Sequence, residues 1–200
     1  MSPRGRRPGE PDTKGRIVDS ARQEFAAQGY DATSLRAVAR RAGVDPALIR
    51  HYFGGKSALF GETLAMPVRL DDAVAAIVTQ APEEMGRAAV RMFLTVWDSA
   101  TGRTGFALLV RGAMSQPSAA RMLREFLIRE VIGRVVRAAA PEGDALDASV
   151  ADRRSAAAAS QMMGLGVMRY VVEFEPVASM SVEEVVDLIG PTIQRYITGA

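Results

Sequence analysis

The chain is 200 residues long, 48% hydrophobic and 24% charged, the composition of an ordinary globular protein with room for one or two domains and a sizeable core. It has no Cys and one His, which excludes disulfides, thiol chemistry and any multi-His metal site. Its net charge of +2 is uneven: residues 1–60 carry 11 Lys/Arg against 6 Asp/Glu, and residues 61–200 carry 14 against 17. A basic front on a mildly acidic remainder suits a polyanion-binding head, although imbalances of this size are also common without such a partner.

Neither a secretory signal nor a run of the ~18 apolar residues that a membrane helix needs is visible, so a soluble, cytoplasmic protein is expected, with no membrane partner. Residues 1–11 hold three Pro, two Gly and three Arg, and are expected to form a disordered basic arm. Arg4, Arg6 and Arg7 could reach a DNA minor groove or merely solubilise the chain. Asp12 can cap a first helix running to about Gln28, with Gly29 ending it. Ile17, Ala21 and Phe25 recur at i, i+4 and i+8 and form its inner face.

From Thr33 to Lys56 the sequence reads as two short helices joined by a tight turn. Leu35, Val38, Ala39 and Ala42 make one apolar stripe. Gly43 suits a left-handed helix end, and Val44 can plug the turn. Asp45 can cap the next helix, and Pro46 fits its first position, where its missing N–H costs nothing. Ile49 and Phe53 then face inward, leaving Pro46, Ala47, Arg50 and His51 outward. This is a helix-turn-helix, whose second helix fits the DNA major groove. Arg50 can fork onto guanine, or it can pair with Asp45. His51 can meet a base edge or a phosphate, and Ala47 and Leu48 can contact a thymine methyl. A fourth helix follows over 57–66, with Leu59, Phe60 and Leu64 inward and Pro67 ending or kinking it.

At Gln28-Gly-Tyr-Asp-Ala-Thr-Ser-Leu35, Val38-Ala39, Ala42-Gly-Val44, Tyr52-Phe53-Gly-Gly-Lys56 and Leu59, the chain resembles the N-terminal domain of the tetracycline-repressor (TetR/AcrR) family. It departs at Arg50, where such proteins often carry Tyr. Because of that departure, contacts at Arg50 do not carry over from the family, and base contacts are expected from Pro46, Ala47, Leu48, Arg50 and His51 on the reach of these side chains alone. The resemblance implies phosphate contacts from Thr33, Ser34, Tyr52 and Lys56. It also implies a division into a DNA-binding domain with its connecting helix (12–66) and an effector-binding and dimerisation domain (67–200).

Beyond residue 67 every segment reads as helix: 72–80, 82 to about 97, 104 to about 115, 118–139, 148 to about 173, and 181–198, with a loop at 141–144. The alternation of Val171 to Glu175 hints at a strand, but the helical context outweighs it. The expected fold is all-α, a helix-turn-helix head on a larger helical bundle. Phe93, Trp97, Phe106, Met114, Met122, Phe126 and Met163 are each ordinary core residues taken singly. Together they make an adaptable lining for an apolar ligand, and the resemblance implies a pocket there. Arg111, inside an apolar run, must reach solvent, pair with an acid or meet a ligand. In the last two helices Ala157, Gly164, Met168, Ile189, Ile193 and Tyr196 suit a homodimer interface, or else burial within one subunit. Pro191 should kink the final helix.

Catalysis is not expected. The sole His51 lies on the recognition helix, no phosphate-binding loop occurs, and Gly164-Leu-Gly166 lacks a preceding strand. Glu83-Glu84 and Glu183-Glu184 sit at helix starts, where negative charge favours the dipole. No cofactor or metal is implied. The sequence itself shows a head, a connecting helix and a body; the resemblance implies a homodimeric regulator, more a repressor than an activator, that binds a pseudo-palindromic double-stranded operator and is released by a small apolar effector. Its rivals are a ligand-independent architectural DNA-binding protein and an all-α enzyme or carrier with a vestigial head.

Overall fold

The computed structural model describes residues 12–64, 66, 68–140 and 146–199. The arm at 1–11 with Arg4, Arg6 and Arg7, the helix stop at Pro67 and the loop at 141–144 lie outside the described residues. Among the described residues all regular structure is helical.

Helix α1 (Thr13–Gln28) begins where Asp12 accepts a hydrogen bond from the Gly15 N–H, and ends at Gly29 with φ +86°. Ser34 caps α2 (Leu35–Ala42) by accepting from the Ala37 N–H, and Gly43, left-handed at φ +65°, stops it. Helix α3 (Pro46–Phe53) carries Pro in its first turn and is capped by Asp45, which accepts from the Ala47 N–H at 2.7 Å. Helix α4 (Lys56–Thr63) completes the head. Ile17, Phe25, Val38, Ile49, Phe53, Leu59 and Phe60 are its buried core, so the stripes predicted for these helices face one another.

The body comprises α5 (Leu70–Val78), a 3-10 turn (Pro82–Glu84), α6 (Met85–Trp97), α7 (Ala100–Ser115), α8 (Pro117–Phe126), a π-helical stretch (Leu127–Val131), α9 (Ile132–Ala138), α10 (Ala148–Tyr170) and α11 (Val182–Thr198). Helix α7 starts four residues earlier than the sequence reading placed it, because Ser99 accepts from the Gly102 N–H and forms an N-cap. Helix α10 ends at Tyr170, and residues 171–175 are neither helix nor strand. Helix α11 opens on a capping box between Ser181 and Glu184 and runs on through Pro191.

Helices α6 and α11 share the broadest contact. Gly86 permits it: a Cβ there would stand 2.5 Å from the Gln194 nitrogen, and the Gly86 N–H donates to Gln194 Oε1 at 2.6 Å. Arg91–Glu183 and Arg87–Asp187 ion pairs lie along the same seam. Arg169, 5% exposed, is held by Asp98 at 3.0 Å and donates to the carbonyls of Val177 and Met180, which pins the 171–180 segment to α10. That bond to Asp98 raises the guanidinium's pKa and keeps the buried charge paired.

Candidate nucleic-acid interface and ligand cavity

The turn geometry of the helix-turn-helix fixes which α3 side chains project. Ala47, Arg50 and His51 are exposed, Pro46 and Leu48 are half-buried, and Ile49 is fully buried. Arg50 makes no ion pair with Asp45 or any other described residue, so its guanidinium fork is open. Ser34 is exposed at the start of α2, and Tyr52 is 44% exposed beside His51. The α2 residues Arg36 and Arg40 are exposed on the same head and add positive charge.

Two expected phosphate contacts are altered by the fold. Thr33 is 3% exposed, and its hydroxyl donates to the carbonyls of Gly29 at 2.7 Å and Glu24 at 3.2 Å. Its side chain locks the α1–α2 turn instead of facing outward. Lys56 Nζ donates to the Asp31 carbonyl at 3.1 Å and lies 4.5 Å above the Tyr30 ring. Partial burial lowers the pKa of this ammonium, with Asp31, Glu130 and Glu125 pulling the other way. In this conformation Lys56 is an internal clamp.

The body encloses a cavity of about 110 Å³. Phe93, Trp97, Phe106, Phe126 and Met163 line it as expected, together with Leu64 and Met66 after α4 and side chains from α5, α9 and α11. All of its lining side chains are aliphatic, thioether or aromatic. Two expected members do not belong. Met114 is 84% exposed, because α7 turns that face to solvent, and Met122 lines a separate groove of about 340 Å³ between head and body. Arg111 is exposed and reaches solvent, away from the cavity.

The expected dimer residues also divide. Gly164 and Met168 (43% exposed) face outward, and Ala157, Ile189 and Tyr196 are half-buried. Ile193 is fully buried and lines the cavity of its own subunit, so it cannot meet a partner. Gly166 likewise makes room internally, for the Phe106 ring. The outer faces near the α10–α11 connection carry Val171, Val172, Phe174 and Leu188, each 46–60% exposed and none picked out from sequence. A helix apolar on several sides does not disclose which side its own subunit covers, so Leu188 was not distinguishable from Ile193.

A further junction joins head to cavity. Phe126, 2% exposed on the cavity wall, packs against Phe60 (4.5 Å between ring centroids) and Tyr30 (5.6 Å) in the head. Beside it, Glu125 accepts from the Asp31 N–H at 3.2 Å, and Arg129 pairs with the Asp31 carboxylate at 3.4 Å. Burial, reinforced by the Glu130 carboxylate, pushes the Tyr30 phenol pKa up, so its ring stays a neutral part of this cluster. These partners lie far apart in the chain, Asp31 and Glu125 by 94 residues, and no local motif announces them.

An exposed recognition helix on a small basic head, coupled to a helical body around an apolar cavity, defines a DNA-binding transcriptional regulator. Residues 17–63 match the family described as bacterial regulatory proteins, tetR family, and residues 83–197 match the tetracyclin repressor-like C-terminal domain. The chain belongs to the tetracycline-repressor family. It is 35% identical to a TetR-family regulator from Streptomyces coelicolor A3, over 97% of this chain and 99% of that one, with a TM-score of 0.46. A TetR-like transcriptional regulator from Rhodococcus sp. RHA1 is 20% identical over 97% of this chain and 100% of that one, with a TM-score of 0.47. Among curated proteins, the HTH-type transcriptional regulator BetI of Rhizobium meliloti (strain 1021) is 40% identical over 86 residues, which span 42% of each chain. The match to BetI thus covers less than half of that protein. Among the described residues no helix is long and apolar enough to cross a membrane, and no group of His, Cys, Asp or Glu is placed to hold a metal ion.

Proposed function

We propose that the protein is a homodimeric repressor that leaves its operator when a small apolar effector fills the body. Two heads, coupled through the outer faces of α10 and α11, would read half-sites about one helical turn, or a multiple, apart. Pro46, Ala47, Leu48, Arg50 and His51 are the base-reading candidates, with Ser34 and Tyr52 on phosphates. Lys56 joins them if it turns outward. The arm with Arg4, Arg6 and Arg7 would add contacts in the minor groove. In this reading residues 12–66 serve as the DNA-binding unit and 67–200 as the effector and dimer unit.

The observation that carries this reading is Phe126, which walls the cavity on one side and packs into the head's aromatic core on the other. An occupant that shifts Phe126 also shifts Tyr30 and Asp31, and with them the mounting of α2 and α3. A reversal from 1:99 to 99:1 between binding and released states needs about 5.5 kcal/mol of differential affinity. The test is to select bound duplexes from a random pool, and then to screen apolar compounds for release. Binding without base preference, and without any releasing compound, would favour the architectural alternative. Negligible affinity for every duplex would defeat the proposal outright.

A further inference from the structure

The cavity and the groove share walls. Leu64, Leu109 and Leu123 line both, so the two voids are separated by little more than these three side chains. The groove opens between head and body, where α4 meets α7 and α8, and two glycines of α7 keep it wide. A Cβ on Gly112 would meet nothing within 4 Å, and one on Gly105 would touch only the Trp97 ring edge, at 3.7 Å. Trp97 itself walls the cavity, so the groove floor and the cavity wall meet at that ring.

The two voids differ in chemistry. The cavity is bordered by seven α-helices and the π-helical stretch and measures only about 110 Å³. Apart from the Trp97 indole, no lining side chain there can donate or accept a conventional hydrogen bond, and a polar substituent inside would be left unpaired. The groove, by contrast, has Arg22 at its rim. Arg22 Nε donates to the Thr63 carbonyl at 3.2 Å and Nη1 pairs with Asp19 at 2.9 Å, while Nη2 has no bond to another described residue. A flexible apolar chain suits a small void that shares its walls with the groove, and an acceptor-bearing end suits Arg22.

Building on the ligand-responsive reading above, we propose that the effector is a linear amphiphile, a hydrocarbon chain ending in a carboxylate. It enters by the groove, lays its tail in the cavity and leaves its head against Arg22. Because Arg22 and Thr63 belong to the head while Gly105 and Gly112 belong to α7, the bound end group lies between the two parts.

The test uses the full-length protein and the fluorescence of Trp97, its sole tryptophan. Dodecanoate, octanoate, dodecanol and the compact acid adamantane-1-carboxylate are titrated below their micellar concentrations. Dodecanoate is expected to bind at least tenfold more tightly than octanoate or the compact acid, and several-fold more tightly than dodecanol. Arg22→Gln should bring dodecanoate and dodecanol within twofold of each other. Gly112→Leu, whose Cβ would meet nothing within 4 Å and whose branch would project into the groove, should weaken dodecanoate at least tenfold with an unchanged circular dichroism spectrum. Equal binding of the compact acid, or a Gly112→Leu variant that binds as the parent does, overturns the assignment. Operator release is read separately. Dodecanoate that binds without releasing DNA would sink the repressor reading and leave the site standing. Release by rigid ring compounds with no dodecanoate binding would do the reverse.

Discussion

Replacing Phe126 with Leu keeps an apolar side chain on the cavity wall and removes the ring that the head packs against. Tyr30 meets that ring edge-on with centroids 5.6 Å apart, and Phe60 meets it at 4.5 Å. Each such pair contributes about 0.5–1.5 kcal/mol beyond area burial. Loss of both lowers stability by about 1–3 kcal/mol, or a Tm fall of about 2–12 °C for a chain of this size. Thermal and urea melts at one fixed protein concentration measure it, because association would otherwise shift the apparent value. Phe60→Leu alone also disrupts pairs with Phe25 at 4.9 Å and Tyr30 at 5.1 Å. The double variant isolates the contact across the junction, with an expected coupling of about 0.5–1.5 kcal/mol. Losses that add to within about 0.3 kcal/mol would show that head and body do not communicate through these rings. In the same variant a ligand that fills the cavity should release less operator, since the shared ring is gone.

Arg50→Ala is expected to relax preference at a single base position by about 1–3 kcal/mol, read by competition among operator variants, while affinity for random duplex falls far less. Equal losses on both DNAs would place Arg50 on the phosphates. Asp98→Ala leaves the Arg169 charge buried and unpaired and should lower stability by about 3–5 kcal/mol in denaturant melts. A loss below about 1 kcal/mol would mean that Arg169 escapes to solvent. Glu184, hydrogen-bonded by the Ser181 hydroxyl and N–H, has its pKa lowered from 4.5. The cap's contribution is therefore complete above about pH 4.5 and is lost as pH falls through the lower folded value. Amide exchange at the start of α11 should speed up over that acid range, and Glu184→Gln should flatten the response.

Much of the head was legible because its signals are local. Ser34, Gly43, Asp45 and Pro46 each fix a helix end from within four residues, so α2 and α3 are placed by short-range chemistry alone. What was not legible depends on contacts made far along the chain. Thr33 reads as an outward hydroxyl until the Gly29 and Glu24 carbonyls claim it. Ile193 and Leu188 belong to one apolar helix, and only the packing of α6 on α11 decides that the first is buried and the second exposed. The Asp31 junction needs Glu125 and Arg129, whose own sequence neighbourhood is an unremarkable amphipathic helix.

The π-helical stretch at Leu127–Val131 did leave a trace in the sequence. In an uninterrupted α-helix the partners of Phe126 and Leu127 one turn on would be Glu130 and Val131. Here the cavity takes Phe126 and Leu127, then Val131 and Ile132, a spacing of five. The Ile132 N–H bonds the Leu127 carbonyl accordingly, as in a π-helix. This wide turn lets one continuous rod present apolar pairs to the cavity while Arg129 holds Asp31. Gly133 makes the wide turn possible, since a Cβ there would lie within 1.8 Å of the Ile128 carbonyl oxygen. Gly133→Ala should therefore destabilise the protein by about 1–3 kcal/mol through overpacking, even though Ala is the better helix former by about 1 kcal/mol. The sign of the change in a denaturant melt decides the matter. If Ala stabilises the chain, the register change between head and cavity does not depend on that glycine.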